Sequence, residues 1–282
     1  MGKDVALVLS SGGARGLAHI GAIEELEAQG YSITSIAGCS MGALIGGVYA
    51  AGKLDEFRNW MKTVDRKKML ELTDFSFSLN HIVKGTRIIE AIMEFVPDVK
   101  IEDLPIPYCA VATDWVTGHE VVFREGSLFE AIRASISLPS FYEPVHRDGM
   151  ILIDGGVTNP IPLNRVVRKE GDILVGVDVS GHDYKAQSEM HHELAEKRKR
   201  STSLSQQILN KLIPDNLEFN YYTMLSRVSS ILIRQNSILM AQLMKPDILV
   251  DIQMARYGGF DFDKSEKLIA IGRQKTLQAL NK

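Results

Sequence analysis

Ser40 stands in Gly38-Cys39-Ser40-Met41-Gly42, a G-x-S-x-G pattern placed where an apolar run turns into a small-residue helical one. In that context the pattern describes a nucleophile elbow, a sharp turn that projects the serine hydroxyl from strained backbone. Gly38 and Gly42 flank it because strand and helix approach closely there and a Cβ would intervene. The amides that follow Ser40 begin a helix whose N-terminal dipole favours negative charge. Met41 itself reads as a pocket-lining residue, and Cys39 as a packed thiol. Two further elements could join Ser40. Ser11-Gly12-Gly13-Ala14-Arg15-Gly16 ends the preceding apolar run and supplies several backbone N–H groups, the donors that an acyl-transfer oxyanion requires. Asp154-Gly155-Gly156 follows the short apolar run Ile151 to Ile153, which sets its carboxylate at a strand terminus on the same edge as Ser40.

A glycine-rich turn between strand and helix also serves dinucleotide phosphates. That alternative expects an acidic residue at the end of the second strand, and Gly38-Cys39-Ser40 stands there instead. A glycine-rich helix cap without chemistry is the other alternative for the Ser40 turn.

These residues need a scaffold that brings strand ends to one edge. Val5 to Leu9, Tyr31 to Ala37, Tyr108 to Thr113, Glu120 to Phe123, Ile151 to Ile153 and Ile173 to Val179 read as strands. Ala14 to Ala28, Ala43 to Ala51, Leu128 to Ser135, Leu163 to Lys169 and Lys264 to Leu280 read as helices. The alternation predicts a three-layer α/β/α sandwich around a mainly parallel sheet, with ligands at the carboxyl ends of its strands. One domain over residues 1–282 is expected, with a helical insertion or cap at about 182–245. Asp65 to Gly85 also breaks the rhythm, and its Phe75, Phe77, Leu79 and Ile82 could rim a site. In the cap, Met224, Leu225, Val228, Ile231, Leu232, Ile238, Leu239, Met240 and Leu243 recur at helical spacing as core, dimer interface or membrane-contacting stripe.

Composition narrows the partners. A formal net charge of -3 and a pI near 6.2 give no general attraction to phosphate backbones, so nucleic acid is not expected. Glu193 to Arg200 reads as a solvated helix face. Cys39 and Cys109 lie in apolar segments and are expected as buried free thiols. The apolar start is broken by Ser10, Ser11 and glycines before a signal-peptide core forms, and no run approaches the roughly 20 apolar residues of a membrane span. A cytoplasmic location is expected, with contact to the inner face of a membrane left open. His191 and His192, about 100° apart on a helix, suit one ion poorly, and no metal or cofactor is expected.

Together with Arg133-Ala134-Ser135-Ile136-Ser137-Leu138-Pro139 and Ile153-Asp154-Gly155-Gly156-Val157-Thr158-Asn159-Pro160-Ile161-Pro162, these motifs resemble the bacterial patatin-like phospholipases, relatives of plant patatins and neuropathy-target-esterase-like proteins. The resemblance covers roughly residues 4–180. It implies a Ser40–Asp154 dyad in which Ser40 attacks an ester carbonyl and Asp154 takes its proton. It further implies an oxyanion hole from the amides of Gly12, Gly13 and Ala14, a role for Arg15 in ordering that loop or neutralising phosphate, and a lipid or other acyl ester as substrate. Ser11 departs from the family pattern, which has glycine there, and a side chain at that point could crowd the loop. Three alternatives stay open: a triad completed by His182, a fold retained for binding after loss of turnover, and a thioesterase or protein deacylase using the same groups.

Overall fold

The computed structural model describes residues 3–72, 85–139, 141–181, 188–189, 192, 221–253, 257–259 and 261–282. Its first strand, β1 (Lys3–Leu9), is covered on both faces: Val5, Leu7 and Leu9 enter one buried cluster, and Ala6 and Val8 the other. Successive side chains of a strand alternate between faces, so a strand buried on both reads as an unbroken apolar run. The helical stretch expected from Ala14 to Ala28 opens as a 3-10 helix over Gly13–Leu17 and continues as α1 (Ala18–Ala28). Then come β2 (Tyr31–Cys39), α2 (Met41–Ala50), α3 (Leu54–Lys62), α4 (Arg66–Leu72) and α5 (Thr86–Met93). The middle of the chain forms β3 (Tyr108–Asp114), β4 (Glu120–Phe123), α6 (Leu128–Ser135), β5 (Val145–Arg147) and β6 (Met150–Asp154). The last elements are β7 (Ile173–Gly181), α7 (Tyr221–Met244), β8 (Ile248–Gln253) and α8 (Ser265–Leu280).

Strands β3, β2, β1, β7 and β8 are neighbours in that order and run parallel, while β4, β5 and β6 add antiparallel pairs around β3. Residues of α1, α2, α6 and α8 pack into the larger cluster on one face. Ile161, Leu163 and, from α7, Met240, Ala241 and Met244 cover the other. The expected three-layer α/β/α sandwich is therefore present.

The expected apolar stripe of α7 is divided. Met240 faces the sheet, whereas Val228, Ile231, Leu232, Leu239 and Leu243 are exposed. Among the described residues no helix is long and apolar enough to cross a membrane. The helix expected over Leu163 to Lys169 is absent and the segment runs as turns. Its carbonyls are held from outside: that of Arg165 accepts from Arg124 Nη2 and that of Val167 from Ser35 Oγ, both at 2.5 Å, which anchors the segment in its turns. Phe75, Phe77, Leu79, Ile82, His182, His191 and Glu193 to Arg200 lie outside the described residues.

Two glycines set the closest helix pair. A Cβ at Gly272 of α8 would lie 1.9 Å from the Ala18 carbonyl oxygen, and one at Gly21 of α1 would lie 1.9 Å from that of Ile269. In an open helix Gly→Ala stabilises by about 1 kcal/mol. Gly272→Ala is expected instead to destabilise by about 1–3 kcal/mol, because the backbones must part. Urea unfolding of the two proteins checks this, and a raised midpoint in the variant would contradict it.

Candidate active site

The register of β3 brings the two site elements together. β4 lies along one edge of β3, opposite Ala110 to Thr113. The other edge is shared: β2 covers Tyr108 to Val111, and β6 takes over from Ala112 to Asp114. Because β2 runs parallel to β3 and β6 antiparallel, their carboxyl ends meet, with Cys39 beside Val111 and Asp154 beside Ala112. Adjacent positions along a strand are only about 3.3 Å apart. Ser40, the next residue after β2, thus reaches Asp154, and its Oγ donates to Asp154 Oδ2 at 2.5 Å.

The backbone at Ser40 has φ 53° and ψ -121°, a conformation that costs on the order of 1–3 kcal/mol for a residue with a Cβ. Its neighbours fix it there. Ser40 N donates to Ser135 Oγ at 2.8 Å, and Ser135 Oγ donates to the Val111 carbonyl at 2.6 Å, which ties the elbow to α6 and β3. A Cβ at Gly42 would fall 2.2 Å from the Leu9 carbonyl oxygen, and one at Gly38 would fall 2.4 Å from that of Gly42. Both glycines of the motif are therefore required by close backbone approach. The role of Ser135 was invisible in the motif pattern; the Ala134-Ser135 segment entered only through the family resemblance.

Asp154 is 4% exposed, and its other oxygen, Oδ1, accepts from Gly156 N at 2.7 Å. Its backbone is pinned as well, with Asp154 N donating to the Ser137 carbonyl and Thr113 Oγ1 donating to the Asp154 carbonyl. Burial pushes its carboxyl up to about 6, against the opposing pull of the Ser40 hydroxyl and the Gly156 N–H. A Cβ at Gly155 would lie 2.1 Å from the Val111 carbonyl oxygen, so the turn after Asp154 lies directly on β3. Among the described residues no histidine bonds to Ser40 or Asp154. His19, the buried histidine nearby, bonds through Nε2 to the Ser10 carbonyl at 2.9 Å, and burial lowers it to about 4, so it is a neutral strut of the glycine loop.

The glycine loop sits between β1 and α2. Gly16 packs on the elbow helix, since a Cβ there would come within 2.3 Å of Met41 Cγ. Arg15 Nε donates to the Gly12 carbonyl at 3.1 Å, which orders the loop from within. The expected set of oxyanion donors needs one correction. Ala14 N–H is engaged by the Gly259 carbonyl at 2.7 Å, whereas the N–H groups of Gly12 and Gly13 have no partner among the described residues. The arrangement therefore sets a serine hydroxyl on a buried carboxyl, beside a loop with two amides that have no partner among the described residues. Cys39 and Cys109 are buried and unpaired, and burial pushes both thiols up.

Comparison with known proteins places this arrangement in context. The sequence model of the patatin-like phospholipase family matches residues 7–167. An uncharacterized NTE family protein of Mycobacterium bovis is 47% identical over 179 residues, which cover 64% of this chain and 50% of that protein. Neuropathy target esterase sws of Drosophila melanogaster is 31% identical over 189 residues, covering 64% of this chain and 13% of that protein. The chain thus spans about half the length of the mycobacterial relative and a small part of the fly protein. The crystal structure of VipD from Legionella pneumophila superposes with a TM-score of 0.49 at 15% identity, covering 99% of this chain and 66% of that one.

Ser11 does not crowd the loop. Its N–H donates to the Pro160 carbonyl at 2.8 Å, and its buried side chain sits over Gly156, where a Cβ would lie 2.9 Å from Asp154 Oδ1 and 3.1 Å from Ser11 Oγ. The absence of a side chain at 156 makes room for the one at 11. Gly156→Ala is therefore expected to destabilise the protein by about 1–3 kcal/mol. Adding Ser11→Gly should recover the share of that loss due to Ser11, while the approach to Asp154 Oδ1 remains. Thermal or urea unfolding of the single and double variants checks the coupling, and strictly additive effects would contradict it.

Proposed function

Because the chain belongs to the patatin-like phospholipase family, we propose that it is a serine acyl-ester hydrolase acting on lipid esters, with Ser40 as nucleophile and Asp154 as its base. The observation that carries this is the 2.5 Å contact between Ser40 Oγ and a buried Asp154 carboxyl raised to about 6. An exposed aspartate, with a pKa of about 3.9, is a weak base toward a hydroxyl. Desolvation makes this one stronger while leaving it ionised at neutral pH.

In the proposed reaction Ser40 Oγ bonds to the ester carbonyl carbon as its proton passes to Asp154 Oδ2. The resulting oxyanion takes hydrogen bonds from the Gly12 and Gly13 N–H groups, with further support from the N-terminus of α2. Collapse breaks the bond to the alcohol, which leaves with the proton from Asp154, and the acyl group stays on Ser40. Asp154 then takes a proton from water, which attacks the acyl carbon; collapse breaks the bond to Ser40 Oγ, returns that proton to Ser40 and releases the fatty acid. The substrate class we propose is a phospholipid or lysophospholipid; the family's description supports a phospholipid, and the name of the fly relative supports an ester.

The test is hydrolysis of a short-chain p-nitrophenyl ester and of phosphatidylcholine vesicles, with fluorophosphonate labelling of the same preparations. Ser40→Ala and Asp154→Asn are each expected to lower kcat/KM at least about 1,000-fold. Ionised Asp154 is the active form, so wild-type kcat/KM should fall about tenfold per unit below pH 6 and level off above it. Labelling of Asp154→Asn at the wild-type rate would remove Asp154 from the role of base.

A further inference from the structure

The glycine loop is braced by residues beyond the 7–167 segment that carries the family match. Asp178, near the end of β7, is 3% exposed, and its Oδ1 accepts from Ser180 N at 2.8 Å and Ser180 Oγ at 2.6 Å. Its Oδ2 accepts from Arg234 Nη1 of α7 at 2.8 Å, and Arg234 Nη2 reaches Asp251 Oδ2 of β8 at 3.2 Å. Val179, the next residue, lies against the loop. A Cβ at Gly12 would fall 2.3 Å from Val179 Cγ2, and Val179 N donates to Ser10 Oγ at 3.0 Å.

A second guanidinium feels Asp178. Burial holds Arg15 below its ordinary basicity, against the opposing charge of Asp178, and burial also raises the Asp178 carboxyl, which the Ser180 hydroxyl and the Arg234 charge draw back. Arg15 does not pair with that carboxylate; it donates Nε to the Gly12 carbonyl instead. The Gly12 carbonyl and the Gly13 N–H belong to one planar peptide unit, so the bond from Arg15 also fixes where the Gly13 N–H points.

We infer that Arg234 is a positioning residue for the glycine loop: by pairing with Asp178 it keeps Arg15 on the Gly12 carbonyl and so aims the Gly13 N–H. The inference rests on the proposed role of Gly12 and Gly13 as oxyanion donors. Removing one partner of a buried ion pair leaves an uncompensated charge, which the remaining nearby cation is drawn to satisfy. Without Arg234, Arg15 turns toward Asp178, releases the Gly12 carbonyl and lets the Gly12–Gly13 peptide rotate. Nothing in the spacing of Asp178 and Arg234 announces this, because the link is made only when α7 docks beside β7.

The experiment compares Arg234→Met, Arg234→Lys and the double variant Asp178→Asn/Arg234→Met with wild type. It reads kcat and KM on a p-nitrophenyl ester and amide hydrogen exchange in a peptide covering residues 10–16. In Arg234→Met, kcat should fall roughly 10- to 100-fold, less than or up to the loss of one oxyanion donor, with KM within about twofold of wild type. Exchange at residues 10–16 should quicken. Arg234→Lys keeps the charge and should restore most of the rate. The double variant removes the charge that draws Arg15 away, and should recover both kcat and protection. A wild-type kcat in Arg234→Met, or a double variant as impaired as the single one, would overturn the inference. The double variant decides the matter even where Arg234→Met does not fold. Absence of turnover in wild type would count against the hydrolase assignment alone, since exchange in the loop still reports whether Arg234 orders it.

Discussion

One edge of β3 is too long for β2, and the whole site follows from how the remainder is filled. β2 stops at Val111, and β6 arrives from the opposite direction to occupy the next three positions. Two strands meeting head to head on a third leave no space for a loop between them, so their terminal residues must touch. The residues at those termini are Ser40 and Asp154, 114 positions apart in the chain and 2.5 Å apart in space. Backbone pairing, the most rigid positioning device a sheet offers, thus sets the contact to within the tolerance that proton transfer requires.

The same junction sets the electrostatics. Placing Asp154 where a strand end closes against another strand removes it from water, and the loss of hydration raises its proton affinity. The strained backbone at Ser40 is held by the Ser135 bridge and by contacts that exclude side chains at Gly38 and Gly42. Strain and desolvation both cost folding energy, and the wide apolar clusters on the two faces of the sheet offset them. The segments that carry Ser40 and Asp154 are accordingly short, and they rest on the dense core of the sheet.

How much of this was legible in the sequence depended on how local each signal was. The elbow, the glycine loop and Asp154-Gly155-Gly156 each sit in a few consecutive residues at the end of an apolar run, and the parallel core of the sheet follows from runs such as Val5 to Leu9. What escaped was set by contacts distant along the chain. Ala14 was expected to offer its amide, but Gly259 takes it. Leu163 to Lys169 has helical spacing, yet Arg124 and Ser35 capture its carbonyls. The pairing of Gly21 with Ile269 and of Gly272 with Ala18 joins helices from opposite ends of the chain, and glycine in a helix gives no hint of its partner. Arg234 is one of many arginines until α7 brings it to Asp178. Ser11, which departs from the family pattern, proved to be accommodated by a second glycine rather than by the loop itself.

In the proposed reaction one desolvated carboxylate, bonded to the Ser40 hydroxyl, carries the chemistry. Its most direct test is a titration of the Asp154 carboxyl itself, by carbon-13 carboxyl NMR with assignment from Asp154→Asn, in wild type and in Ser40→Ala. A transition near pH 6 is expected in wild type and a higher one in Ser40→Ala, because the hydroxyl that stabilises the ionised form has been removed. A transition near the ordinary aspartate value of about 3.9, unchanged by Ser40→Ala, would contradict it.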